Sequence, residues 1–238
     1  MEEIFAYLRD VLGVRYLPQF QSQSTAMPSI PRLPSDESAA PLTKSARVDS
    51  SKPIEGCTLC KLHRTRKNIV FGSGPSKADL MFIGEGPGEE EDQQGVPFAG
   101  PAGQLLVKMI EAMGLRQEEV YITYVVKCRP PMNRSPEVDE IHECSSFLKE
   151  QISSVNPKVI VALGPFAAQT LLRTDQRMTQ IRGKLHDFDK RKLIATFHPS
   201  YLLKNPSEKK AAWEDLKLAM QELGLHGKNQ AQGPAGKN

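Results

Sequence analysis

The stretch Leu80-Met81-Phe82-Ile83-Gly84-Glu85-Gly86-Pro87-Gly88 decides the fold. A short apolar run ending in glycines reads as a buried strand running into a tight turn. The G-x-G-P-G that follows brings bare backbone N–H groups to the strand's carboxyl end, where they can hold an anion or a carbonyl oxygen. It is not a dinucleotide fingerprint, because the G-x-G-x-x-G spacing is absent. Nor is it a phosphate loop, because no Gly-Lys-Ser/Thr follows, and the acidic run Glu89-Glu90-Glu91-Asp92 opposes a phosphate.

Working outward, three more apolar runs read as strands: 120–126, 159–163 and 193–197. Helical spacing fills the gaps. Residues 101–113 carry Leu105, Leu106, Met109, Ile110 and Met113 on one face. Residues 136–152 open on Ser135-Pro136-Glu137, with Ser135 as the expected N-cap. Residues 165–172 and 207–223 complete the set. Strands alternating with helices predict a three-layer α/β/α sandwich around a central, mainly parallel four-stranded sheet. Ligands in such sheets bind at the carboxyl ends of the strands.

The predicted folded domain is 54–225. Ahead of it, residues 18–53 read as a flexible linker punctuated by Pro18, Pro28, Pro31, Pro34, Pro41 and Pro53. Residues 1–17 carry Ile4, Phe5, Leu8, Val11 and Leu12 at helical spacing. This short helix is expected to dock on the domain or to bind a protein partner. Residues 226–238 read as a disordered tail.

The chain has 238 residues, 39% hydrophobic and 25% charged, with a net charge of +3. These values exclude a fully disordered chain. No apolar run approaches the ~20 residues that span a bilayer, and the N-terminus lacks a signal pattern. A soluble, cytoplasmic monomer is the expectation. The charge is too small to announce a nucleic-acid partner by itself.

Four cysteines stand out. Cys57-Thr58-Leu59-Cys60 is a chelating pair, Cys128 follows the second strand, and Cys144 lies in the next helix. Two disulfides do not fit a cytosolic chain. Four thiolates suit either zinc or an iron–sulfur cluster, and the split second pair tilts towards iron–sulfur.

Further candidates gather where the strands end. Phe98, between Pro97 and small residues, is a candidate aromatic platform. Lys127, Arg129 and Arg134 form a rigid basic loop around Pro130-Pro131 that could contact phosphates. His198, at the last strand's end and followed by Pro199, can change charge near neutral pH.

Together these motifs resemble the iron–sulfur family 4 uracil-DNA glycosylases. The matching residues are Cys57-Thr-Leu-Cys60, Gly84 to Asp92, Gly95 with Pro97-Phe98, Ala102-Gly103 with Leu105-Leu106, Lys127 to Pro131 with Asn133-Arg134, Cys144, and His198 to Leu203. They run in order through the predicted domain.

The resemblance implies a structural 4Fe-4S cluster on Cys57, Cys60, Cys128 and Cys144. It implies excision of uracil from DNA by hydrolysis of the N-glycosidic bond, leaving an abasic site. The base must first be flipped out of the duplex. Glu85, Gly86, Pro87 and Gly88 would line the base pocket, Phe98 would stack on the ring, and Asn133 would contact substrate. His198 would stabilise charge on the departing base. Glu85 or Glu91 would place a water on the other face of the sugar. No residue supplies a Schiff-base lysine, so a monofunctional enzyme is expected. Lys127, Arg129, Arg134 and Ser200 would face DNA, and Leu202 or Leu203 would wedge the duplex.

One position departs from the family. Its members carry Asn before Lys-Cys-Arg-Pro-Pro, where this chain has Tyr124 in Ile122-Thr123-Tyr124. Asn offers a donor and an acceptor to the edge of uracil; Tyr offers one hydroxyl and more bulk. Tyr124 could bond O4 with poorer discrimination, redirect the site to hypoxanthine or xanthine, or fill the pocket. Weakened or altered uracil excision is the expectation. The competing classes are a non-catalytic, cluster-bearing DNA-binding protein working with a polymerase, and a zinc-binding redox or nuclease module.

Overall fold

The computed structural model describes residues 54–225. The expected helix at 1–17, the linker at 18–53 and the tail at 226–238 lie outside the described residues. Five strands form one sheet: β1 (Leu80–Gly84), β2 (Tyr121–Tyr124), β3 (Val159–Leu163), β4 (Leu185–Phe188) and β5 (Arg191–Thr196). Their order is β2-β1-β3-β5-β4. The first four are mutually parallel, and β4 runs antiparallel to β5 at the edge.

The helices are α1 (Glu89–Gln94), α2 (Pro101–Ala112), α3 (Val138–Val155), α4 (Pro165–Leu172), α5 (Met178–Ile181), α6 (Pro199–Lys204) and α7 (Lys209–Glu222). Alternation along each strand builds two cores. Met81, Ile83, Ile160, Ala162, Leu193 and Ala195 pack with Leu148 and Ile152 of α3 and with Ala167, Ala168 and Leu171 of α4. Leu80, Phe82, Val159, Val161 and Ile194 face the other way, onto Leu106 and Ile110 of α2 and Leu216 and Ala219 of α7. The result is the expected three-layer α/β/α sandwich. The inner strands are buried on both faces, which is why they read as continuous apolar runs.

The sheet has five strands rather than four. The added strand, Leu-His-Asp-Phe, is half exposed and has no apolar run to betray it. Its hairpin turns at Asp189 and Lys190, both with positive φ (43° and 65°). That is the backbone of a two-residue hairpin, but without the glycine that signals one. Helix α3 begins at Val138, later than expected. Its entry is held by the Glu137 N–H donating to the Glu140 carboxylate at 2.7 Å, not by a Ser135 cap.

Candidate active site and cysteine cavity

The carboxyl ends of β1, β2, β3 and β5 open into one cleft. Glu85, Gly88, Phe98, Tyr124, Asn133 and His198 all line it. The structure thus brings together the residues read from the glycine turn, the Phe98 loop and the last strand.

Glu91 builds the floor of this site. Its carboxylate is buried and accepts the Gly88 N–H at 2.9 Å, the Ala99 N–H at 2.9 Å and the Gly100 N–H at 3.4 Å. It ties the glycine turn to the Phe98 loop. This corrects the expectation of a water-placing Glu91, because its oxygens are occupied by backbone donors. Phe98 sits in that clamped loop with φ of 52°, a conformation rare for an aromatic residue. Gly103 permits the turn: a Cβ there would meet the Phe98 carbonyl oxygen at 1.6 Å.

Glu85 is half-buried in the cleft. Burial raises its carboxyl above the usual carboxylate range, and a hydrogen bond with Ser135 pulls the other way. Ser135 is a site residue that sequence reasoning missed, having been assigned to a helix cap.

His198 sits at the N-terminus of α6. The Ser200 backbone N–H donates to its Nδ1 at 3.2 Å, and the Ser200 hydroxyl lies 2.7 Å from the same nitrogen. An Nδ1 acting as acceptor puts the proton of the neutral ring on Nε2. Burial pushes the His198 pKa down to about 4, so the ring is neutral at physiological pH. Its ring stacks on Phe98 with centroids 5.7 Å apart. Ser200 therefore positions His198.

Tyr124 stacks on Phe98 as well, with centroids 5.1 Å apart and planes at 19°. Its hydroxyl accepts the Phe98 N–H at 2.8 Å. Room for the ring comes from Gly84, where a Cβ would lie 2.9 Å from Tyr124 ring carbons. Burial, with the Glu91 charge adding to it, raises the phenol well above its ordinary value.

Two expected DNA contacts are corrected. Lys127 is fully buried, its ammonium donating to the Thr123 hydroxyl at 2.8 Å and to the Tyr124 carbonyl. It cannot reach a phosphate. Leu202 is 1% exposed and belongs to the core beneath α6, while Tyr201 and Leu203 are 43% and 44% exposed. Those two occupy the outward positions. Arg134 forks onto Glu140 at 2.8 and 2.6 Å. Arg129 donates to the Asn133 side-chain oxygen at 2.8 Å and pairs with exposed Glu89 at 3.3 Å.

On the other side of β2, Cys57, Cys60, Cys128 and Cys144 line one small cavity with Arg66, Phe147 and Ile54. None is in a disulfide. Burial pushes the Cys128 thiol up to about 11 and raises Cys60 and Cys144 too. Among the described residues no group of three or more His, Cys, Asp or Glu side chains is arranged to hold a single metal ion.

A family model described as "Uracil DNA glycosylase superfamily" matches residues 71–217. A type-4 uracil-DNA glycosylase of Thermotoga maritima is 46% identical over 173 residues, covering 71% of this chain and 90% of that protein. The chain belongs to the type-4 uracil-DNA glycosylases. A type-4 enzyme of Archaeoglobus fulgidus is 42% identical over 177 residues, covering 71% of this chain and 89% of that protein. One of Saccharolobus solfataricus is 43% identical over 179 residues, covering 71% and 83%. In this family member, the matched residues 71–217 include the whole of the cleft. Among the described residues, no helix is long and apolar enough to cross a membrane.

Proposed function

We propose that this chain excises uracil, or another deaminated base, from DNA by hydrolysing its N-glycosidic bond in the cleft between Glu85 and His198. The observation that carries the reading is His198, held by Ser200 and stacked on Phe98, facing the same cleft as the half-buried Glu85. The base leaves as an anion, so a donor fixed at its oxygen lowers the barrier. A neutral imidazole with its proton on Nε2 is such a donor. The Gly86–Gly88 turn lines the cleft, and its bare backbone offers further donors. The sugar becomes cationic as the bond breaks. The Glu85 carboxylate stabilises that charge and orients the incoming water.

Tyr124 reads the base through its hydroxyl. The Phe98 N–H already occupies an acceptor site on that oxygen. The O–H proton remains available to donate to a base. A donor suits a carbonyl, such as O4 of uracil or O6 of hypoxanthine and xanthine, and suits the amino group of cytosine poorly. Arg129 and the exposed Tyr201 and Leu203 serve the DNA side: Arg129 by a phosphate contact, Leu203 by filling the gap a flipped base leaves.

The cysteine cavity fits a 4Fe-4S cluster on Cys57, Cys60, Cys128 and Cys144. The four cysteines line one cavity, and four thiolates are the ligand set such a cluster takes. Such a cluster would cross-link the chain before β1, the loop after β2 and helix α3, and no step of the hydrolysis passes through it.

The test is a panel of oligonucleotides bearing uracil, hypoxanthine or xanthine, scored for abasic sites. Product from uracil supports the reading, and product from a purine shows that Tyr124 redirects it. No product from any of them favours a second reading, a non-catalytic DNA-binding protein. The observation behind that alternative is the Tyr124 ring, buried in the cleft against Phe98.

A further inference from the structure

Arg66 sits just beyond the Cys57–Cys60 turn, and its guanidinium makes two contacts at the cysteine cavity. Nη1 donates to Cys128 Sγ at 3.3 Å, and Nη2 donates to the Cys57 carbonyl at 2.6 Å. One planar fork therefore joins two chain segments far apart in sequence, each of which carries a cysteine of the cavity. Among the described residues, no carboxylate pairs with Arg66. All the ion pairs found involve other side chains.

The backbone around Arg66 is fixed. Its own N–H reaches the Leu62 carbonyl, and the next two N–H groups donate to the Asp92 carboxylate at 2.9 and 3.2 Å. A little further on, the Val70 N–H donates to the Lys127 carbonyl at 2.8 Å, beside Cys128. A second sulfur is treated alike: the Lys127 backbone N–H donates to Cys144 Sγ at 3.3 Å. N–H donors directed at sulfur suit a thiolate far better than a neutral thiol.

We infer that Arg66 is a positioning residue of the cluster site, which orients Cys128 and places a permanent positive charge against the cluster's thiolate shell. This rests on the cluster reading above. A guanidinium stays charged at all working pH. A cluster held by four thiolates is anionic, so a half-buried cation without a carboxylate partner is compensated when the cluster is present. Hydrogen bonds to ligand sulfur, and nearby charge, set both the retention and the reduction potential of such clusters. The potential is used here as a gauge of that charge; no redox step is assigned.

The experiment compares the full chain with Arg66→Gln, Arg66→Lys and, as a control, Arg64→Gln. Arg64 is exposed two residues away. Iron and sulfide content, bleaching by an iron chelator and the cluster's reduction potential are read for each. In Arg66→Gln, bleaching accelerates by roughly 10-fold, the lower end of what such outer partners are worth. Its potential becomes more negative. Arg66→Lys keeps the charge, so its potential stays near that of the parent, while the lost fork still speeds bleaching. Arg64→Gln matches the parent. If Arg66→Gln holds no iron, retention of iron in Arg66→Lys supports the inference, and loss in both overturns the charge role. Unchanged bleaching and potential in Arg66→Gln overturns the inference. A parent protein without iron and sulfide overturns the cluster reading itself, which separates the two failures.

Discussion

The Phe98 backbone N–H donates to the Tyr124 hydroxyl at 2.8 Å, and the two rings stack with centroids 5.1 Å apart. A residue on the end of β2 thus holds the strained loop that carries Phe98. Tyr124 is bound into the site's architecture. Tyr124→Phe keeps the stack but leaves a buried N–H unpaired, which costs about 1–3 kcal/mol. Its thermal midpoint falls, and excision falls with it because the donor is gone. Tyr124→Asn restores the family's base-reading group, so uracil excision rises while stability falls through loss of the ring. Parallel melts and single-turnover assays on both variants check the opposite signs.

Glu85 sets the acid limb of the pH profile. Its carboxyl is raised by burial, and the proposed mechanism needs its ionised form. The rate therefore falls as pH drops through that raised value, and Glu85→Gln is slow at every pH. His198 contributes no limb above its pKa of about 4, since it is neutral throughout. His198→Gln lowers kcat by about 10²–10³-fold, the scale of one lost oxyanion donor, with KM little changed. A pH–rate series on the parent and both variants separates the roles.

His198 also marks stability. Its folded pKa lies below the ~6.5 of an unfolded histidine, so the unfolded chain binds more protons between those values. Stability contributed by this residue is intact above that window and is lost as pH falls from about 6.5 to about 4. Urea melts at the two ends of the window, on the parent and on His198→Gln, test this. The variant is the less pH-sensitive of the two.

Glu91 is a clamp. Glu91→Ala leaves the Gly88, Ala99 and Gly100 N–H groups without their acceptor, for a loss of about 1–3 kcal/mol or more. It weakens kcat and KM together because Phe98 loses its seat. The pH profile keeps its shape, which distinguishes a clamp from a general base.

Burial separates Lys127 from Arg129. Arg129→Gln reduces the salt slope of DNA affinity by about one, as the loss of one phosphate contact requires. Lys127→Met leaves the slope unchanged, since the ammonium is enclosed by Thr123 and Tyr124. Binding titrations at several salt concentrations give both slopes.

Much of the site was legible because its chemistry sits in local motifs. The inner strands announce themselves because parallel strands covered on both faces are apolar throughout, and the glycine turn after β1 follows from them. The four cysteines were visible by their spacing, and His198 by its place after the last strand. The structure alone decided what each side chain does there. Glu85 and Glu91 both line the cleft, but the Glu91 carboxylate is consumed by three backbone N–H groups. Lys127 and Arg129 share a loop, but a hydrogen-bonded pocket swallows the first. Leu202 and Leu203 are neighbours, and the phase of α6 buries one and exposes the other. The edge strand β4 escaped notice because a half-exposed strand and a glycine-free hairpin carry no apolar signature. The sequence by itself determined which groups are near the sheet's carboxyl edge, since that follows from periodicity and chain order. Only tertiary structure decided which of them keep a free donor, acceptor or charge, because that depends on partners arriving from distant segments.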